Sequence, residues 1–411
     1  MNAPDAKALG ARAEAMIAEL GAISSEPGRL VRLFLTPEHR RAADLVAAWM
    51  RAAGLSVSED ALGTVRGRFG DAKRRLLIGS HIDTVVDAGK YDGPLGVIAG
   101  IVAAEHFIRS KAKLPFGIDV LAFGDEEGSR FPATMTSSSA CAGVFENEAL
   151  TSADANGVSL ADALKAYGNN PKDISSAAYA AQDVAGYVEV HIEQGPVLEA
   201  KGEPLGIVTG IVGQSRLRVT VTGEAGHAGT VPMNLRRDAY AGAAEMALAL
   251  EQIAREHPKD GMVGTVGRIE AAPGAVNIIP GRVLFTVDLR ALTDALREAA
   301  SERFAAEAAR IAKARGLRVS IEPFHEISTA YCAPLLQEAL AASATAVGST
   351  PIRLPSGAGH DAQVMARLCP SAMLFVRCRG GISHNPAEFA SVSDMGVAIA
   401  ALIGFIERFK P

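Results

Sequence analysis

The chain has 411 residues, 48% of them hydrophobic and 21% charged, the composition of a soluble globular protein with room for two domains and a large core. Its net charge of 41 − 46 = −5 implies no basic surface of the kind a nucleic-acid partner requires, and none is expected. The four cysteines, Cys141, Cys332, Cys369 and Cys378, form no C-x-x-C pair, which excludes a zinc ribbon and a dithiol redox motif and leaves reduced thiols as the expectation. No stretch is apolar for long enough to span a bilayer, and the N-terminus lacks a basic region followed by an apolar one. A cytoplasmic protein with neither a signal peptide nor a membrane contact is expected.

In chain order, an Ala-rich helix is predicted over residues 6–20 and a second over 39–53, ending at Gly54 in the manner of a C-cap. Short strands follow at 56–59 and 64–68. The apolar run Leu76-Leu77-Ile78 then leads into Gly79-Ser80-His81-Ile82-Asp83-Thr84. It reads as a buried strand ending in a polar loop, with His81 and Asp83 two positions apart on one side. Asp92 follows in a glycine-containing turn. Histidine and carboxylate at a strand's C-terminal end suit zinc or a similar metal, although the segment by itself also fits a capped turn. The helix over 95–109 carries Val97, Ile98, Ile101, Val102 and Phe107 around its circumference, so deep burial is expected.

A strand at 118–123 makes this a strand–helix–strand unit of a mostly parallel sheet. It runs into Asp125-Glu126-Glu127-Gly128-Ser129-Arg130-Phe131, where open α/β sheets place their sites. Adjacent glutamates there can divide metal binding and proton transfer, although a solvated acidic loop has the same composition. A short helix at 160–167 precedes a strand of alternating character, Tyr187 to Gly195, carrying His191.

The pattern then changes. Residues 215–221 alternate as a half-exposed strand, and a helix (235–256), two strands (262–269 and 281–289), a helix (294–315) and a last strand (317–321) follow. That β-α-β-β-α-β order is ferredoxin-like, and an alternating, one-faced sheet implies a unit of its own. Residues 213–326 therefore read as a domain inserted into an α/β domain made of 1–212 and 327–411. After the insertion come a helix (333–347), a Gly-rich polar loop (355–361) with His360, a strand (372–376), a loop with His384 and a terminal helix (392–409).

Five of the nine histidines, His81, His191, His227, His360 and His384, fall in polar loops or at strand ends. The other four, His39, His106, His257 and His325, read as structural or exposed. Several of the five, together with Asp92, Glu126 and Glu127, fit a site in which two metal ions share a bridging carboxylate. No H-E-x-x-H helix and no G-x-S-x-G elbow is present, so neither a single-zinc metalloprotease nor a serine hydrolase of the α/β-hydrolase type is indicated.

Seven ordered motifs carry a resemblance over nearly the whole chain. They are Gly79–Thr84, Asp92-Gly93, Glu126–Phe131, His191-Ile192-Glu193-Gln194-Gly195, Gly226-His227-Ala228-Gly229-Thr230-Val231-Pro232-Met233, Gly357-Ala358-Gly359-His360-Asp361-Ala362 and Ile382-Ser383-His384-Asn385-Pro386. Together they resemble the hydantoinase/carbamoylase family of binuclear-metal amidohydrolases, part of a broader group of metal-dependent peptidases with an inserted dimerisation domain. The resemblance implies that Asp92 bridges two divalent ions, zinc or manganese, with cobalt or nickel also suited to such ligands. His81 and His191 complete one site, and Glu127 and His384 the other. It implies further that Asp83 orients His81 and that Glu126 is the general base. Gln214, Asn277 and Arg290 hold the substrate, and His227 stabilises the oxyanion.

The activity so implied is cleavage of the carbamoyl group of a carboxylate-bearing ureido substrate, an N-carbamoyl-L-amino acid, an N-carbamoyl-β-amino acid or allantoate. The active form implied is a homodimer. Two alternatives are a dipeptidase or aminopeptidase of the broader group and a non-catalytic small-molecule binding homologue. His191, where those peptidases commonly carry an acidic ligand, disfavours the first. An intact Glu126 disfavours the second, since binding alone needs no base.

Overall fold

The computed structural model describes residues 5–257 and 261–411. It separates the chain into two compact units, one of residues up to Thr209 and from Tyr331 onward, the other of Gly210–Ala330. In the first unit, α1 (Ala6–Gly21) is capped by the Asp5 carboxylate. Thr36 caps α2 (Pro37–Ala52), with proline in its first turn, where the missing N–H costs nothing. β1 (Ser56–Glu59) pairs antiparallel with β2 (Val65–Phe69).

β3 (Arg75–His81) is buried at every position. It leads through the loop bearing Asp92 into α3 (Pro94–Arg109), buried from Pro94 to Glu105 as its all-round apolar character predicts. β4 (Gly117–Phe123), α4 (Thr136–Cys141), α5 (Leu160–Tyr167), β5 (Val184–Ile192), α6 (Val197–Lys201) and β6 (Leu205–Ile211) follow. The alternation read in β5 does not mark a solvated face, because all nine of its residues are buried, Glu189 and His191 included.

In the second unit, β7 (Gly213–Thr222) leads to the two-residue β8 (Gly226–His227) and to α7 (Ala239–Arg255). β9 (Val263–Ala272), β10 (Ile278–Ile279), β11 (Arg282–Ala291), α8 (Asp294–Ala314) and β12 (Arg318–Ile327) complete it. The antiparallel sheet order β12-β7-β11-β9 is the ferredoxin-like one. Its buried core joins Val219 and Val221 of β7 and Phe285 of β11 to Met246 of α7 and Phe304 and Ile311 of α8. The strand expected over 317–321 runs on to Ile327, because β7 pairs with it along its whole length.

The first unit resumes with β13 (Ala330–Tyr331), α9 (Pro334–Ala346), β14 (Ile352–Ser356), α10 (Asp361–Met365), β15 (Ser371–Val376) and α11 (Val392–Arg408). The polar loop expected at 355–361 is a loop over 357–360, with β14 ending at Ser356 before it and α10 beginning at Asp361 after it. The main sheet runs β1-β2-β4-β3-β5-β15-β6-β13, with β14 beside β6. β4, β3, β5 and β15 are parallel to one another, and antiparallel pairs flank them. All four cysteines are buried and free. Among the described residues no helix is long and apolar enough to cross a membrane.

Candidate metal centre

Four neighbouring parallel strands deliver their C-terminal ends to one place, where an open α/β sheet leaves polar backbone unpaired. β3 ends at His81, and its partner in the β4 register is Phe123, after which the chain turns into Asp125-Glu126-Glu127. β5 carries His191 opposite Phe375 of β15, and the loop after β15 carries Ser383 and His384. The acid loop is stapled by Asp125, whose carboxylate accepts the N–H groups of Thr136 (2.9 Å) and Ser137 (3.0 Å) in the first turn of α4.

Asp92 is the centre of the cluster. Its Oδ1 lies 3.1 Å from His191 Nε2 and 3.5 Å from His81 Nε2. Its Oδ2 lies 3.5 Å from His384 Nε2, which is 3.4 Å from Glu127 Oε2. Glu126 Oε2 is 3.8 Å from His81 Nε2. Within each of the groups His81–Asp92–His191, Asp92–Glu127–His384 and His81–Glu126–Glu127 the ligand atoms lie within 4.8 Å of one another. The structure thus brings all six residues of the expected metal and base set together.

Asp83 stands behind them. Its Oδ1 lies 3.3 Å from His81 Nδ1, and its two oxygens accept the N–H groups of Glu126 and Glu127, each at 3.2 Å. One carboxylate thereby orients the imidazole and the acid loop together, and leaves His81 Nε2 facing Asp92. His191 Nδ1 is likewise held 2.9 Å from the Ile192 carbonyl. Gly93 permits this packing: it has φ of 81°, and a Cβ there would stand 2.5 Å from the His81 ring. Gln194 and His384 also take left-handed conformations, φ 56° and 53°, at a cost of roughly 1–2 kcal/mol each. The Gln194 amide donates to Asp92 Oδ2 at 2.7 Å.

Burial opposes ionisation of Asp92, but His191 and His81 outweigh it and hold the carboxyl well below the usual range. Burial pushes Glu126 well above it; His81 resists, while the charges of Glu127, Asp361 and Asp92 push further. Burial raises Glu127 in the same way, and the Asp92 charge adds to it. Carboxylates crowded in a dry place repel one another unless cations stand among them. Hard carboxylate oxygens mixed with imidazoles, with the outer nitrogens of His81 and His191 already engaged, form a donor set suited to two divalent ions sharing Asp92.

The model of the Peptidase family M20/M25/M40 matches residues 77–408 of this chain. Allantoate deiminase of Arabidopsis thaliana is 43% identical to it over 96% of this chain and 81% of its own length. N-carbamoyl-L-amino acid amidohydrolase of Geobacillus stearothermophilus is 42% identical over 96% of this chain and 97% of its own. A solved structure of a hydantoinase/carbamoylase family amidase from Burkholderia multivorans superposes with a TM-score of 0.89 at 32% identity, covering 97% of each chain. The chain belongs to peptidase family M20/M25/M40, among its hydantoinase/carbamoylase amidases.

The other residues expected to act in this M20 amidase lie in the second unit, in two pairs. Register places Gln214 opposite Arg290 on β7 and β11. Both meet Asp288, which accepts from Arg290 Nε (2.9 Å), Arg290 Nη2 (3.1 Å) and Gln214 Nε2 (2.6 Å). His227 is exposed and pairs with Ile278, and the Ala228 N–H donates to the Asn277 carbonyl at 2.9 Å, so His227 and Asn277 share one ribbon.

Sequence reasoning assigned no role to Glu189, Gln194, His360, Ser383, Glu388 or Asp288. Glu189 had a signal, lying two residues before His191 on the same face of β5. It accepts from Ser80 Oγ (2.8 Å) and the Ala362 N–H (2.9 Å). His360, one of the five loop histidines, packs edge-on against His191 with ring centroids 4.5 Å apart. Burial, reinforced by the His191 charge, keeps its imidazole neutral.

Proposed function

We propose that this amidase hydrolyses the carbamoyl C–N bond of an N-carbamoyl-L-amino acid or of a ureido acid such as allantoate, releasing ammonia and carbon dioxide. The observation that carries the reading is Asp92, whose two oxygens face different partners, His81 and His191 on one side and His384 beside Glu127 on the other. Those five residues would hold two divalent ions, zinc or manganese, with cobalt or nickel also suited to the same donors. When bound, the ions supply Lewis acidity, polarising a ureido carbonyl and lowering the pKa of water.

The chain's own residues do the rest. Glu126 takes a proton from the attacking water on a carboxylate oxygen and returns it to the leaving nitrogen. Asp83 keeps His81 and the acid loop in register with Asp92. Arg290, whose Nε and Nη2 are set by Asp288, offers a planar guanidinium to the substrate carboxylate, with Gln214 and Asn277 beside it in role. His227 donates to the oxyanion as the carbonyl carbon becomes tetrahedral. In this reading residues 1–212 and 327–411 are the catalytic domain, 213–326 serve dimerisation and substrate capture, and the enzyme works as a cytoplasmic homodimer. The carboxylates that the two relatives' names carry support an anionic ureido substrate.

The test is an assay of ammonia and free amine on allantoate, several N-carbamoyl-L-amino acids, N-carbamoyl-β-alanine and dipeptides. Ammonia release from a ureido acid, with dipeptides untouched, is expected. Dipeptide cleavage without ammonia from any ureido acid would move the enzyme to the peptidases, and inactivity of the metal-loaded protein on the whole panel would favour a binding homologue.

A further inference from the structure

We propose that Glu388 is a positioning residue that ties Asp92 to the His384 loop and so sets the spacing between the two ion positions. The proposal rests on the metal reading given above. Glu388 is 5% exposed. Its Oε1 accepts the backbone N–H groups of Tyr91 (2.8 Å) and of Asp92 itself (3.1 Å). Its Oε2 lies 3.0 Å from Ser383 Oγ, and the Ser383 hydroxyl oxygen in turn lies 2.5 Å from Asp92 Oδ2, so one hydroxyl proton is shared between the two carboxylates. One carboxylate therefore grips both ends of Asp92, the backbone directly and the side chain through Ser383, the residue next to His384.

The surroundings are built to admit it. A Cβ at Gly89 would stand 2.3 Å from the Glu388 carboxylate, so only glycine leaves room there. The turn that delivers Glu388 is closed by its own N–H to the Asn385 carbonyl (3.0 Å) and by the Ala387 N–H to Asn385 Oδ1 (2.9 Å). Adjacent N–H groups ahead of α3 form a small anion seat, which the chain fills with a side chain of its own. A glutamate that merely closed a turn would not need to reach across to the loop carrying the shared ligand. His384 is half exposed on a left-handed residue, and its loop is held against Asp92 by two ties, Glu388 through Ser383 and the Gln194 amide, which donates to Asp92 Oδ2 (2.7 Å) and Ser383 Oγ (3.3 Å).

The test is titration of metal-free protein with Co2+, followed by a competing chelator and by the visible absorption of the bound ion, which reports ligand geometry. Wild type should take up two ions. Glu388→Ala and Glu388→Asp should weaken uptake by roughly 10–100-fold, the usual effect of losing a group that orients metal ligands, and should shift the visible spectrum. The Asp variant keeps the charge but withdraws the carboxylate by one methylene, and it carries the comparison if the Ala variant does not fold. Glu388→Gln keeps the reach and an acceptor for the two N–H groups, so it should recover most of the affinity and the wild-type spectrum. Folded Ala or Asp variants that bind two ions with wild-type affinity and spectrum would overturn the role of Glu388. Uptake of fewer than two ions by wild type would instead overturn the binuclear reading, and this proposal with it.

Discussion

Lowering the pH from 7 to 5 should destabilise the first unit by about 2 kcal/mol through one side chain, His39. It is fully buried on α2, with Nδ1 2.9 Å from the Tyr167 hydroxyl and its ring edge-on to Phe34. Burial, then the charges of Arg32, Arg40 and Arg130, push the imidazole down to about 3 from 6.5. The unfolded chain therefore binds a proton below pH 6.5 that the folded chain refuses until about pH 3. The stability is fully present above 6.5 and is lost as the pH falls through that window.

At pH 5 the unfolded state is about 1.5 units below its pKa, at about 1.4 kcal/mol per unit. The assay is urea unfolding at pH 7 and at pH 5, read by the fluorescence of Trp49, the only tryptophan, which sits on the same helix. Other titrating groups contribute to wild type and to His39→Gln alike, so they cancel in the comparison. The variant should lose about 2 kcal/mol less than wild type between the two pH values. An equal loss in both would refute the reasoning.

Glu126→Gln should bind metal and substrate yet lose kcat by roughly 10²–10⁴-fold, the usual worth of a general base; near wild-type turnover would move that role elsewhere. Arg290→Lys should raise KM for carboxylate-bearing ureido substrates by roughly 10–100-fold with less effect on kcat, because a lysine cannot keep the paired contact. Asp288→Asn should raise KM in the same direction by loosening the guanidinium, and steady-state kinetics showing KM unmoved in both variants would remove Arg290 from substrate binding.

How legible the chain was depends on the range of the interaction concerned. β3, α3 and β4 were readable because each carries its own periodicity and ends in polar residues of its own. The alternating strands of the second unit were readable for the same reason. β6 was missed because its apolar run is interrupted by Gly206, Thr209 and Gly210, and it becomes a strand by pairing with β15. β14 carried no reading of its own, and its last two residues fell within the expected loop, because Pro355 and the glycines after it look like turn chemistry when no neighbouring strand is in view. β5 read as alternating because Glu189 and His191 are polar, yet it is buried throughout, and Ser80, Tyr187 and Ala362 satisfy Glu189 inside the fold.

By itself the sequence determined the residue types available for metal and proton chemistry and their local placement at strand ends. Strand and helix periodicity act over a few residues, and so do the seven motifs. Only the tertiary structure decided which of those residues meet. It set Asp92 between His81 and His191 on one side and His384 on the other, because four parallel strands far apart in the chain end side by side. It also decided the partners no local pattern could announce: Asp83 holding the acid loop, Asp288 holding Arg290, and Glu388 reaching back to the Asp92 backbone. The physical reason is that a buried carboxylate must find donors wherever packing brings them, and packing is a property of the whole chain.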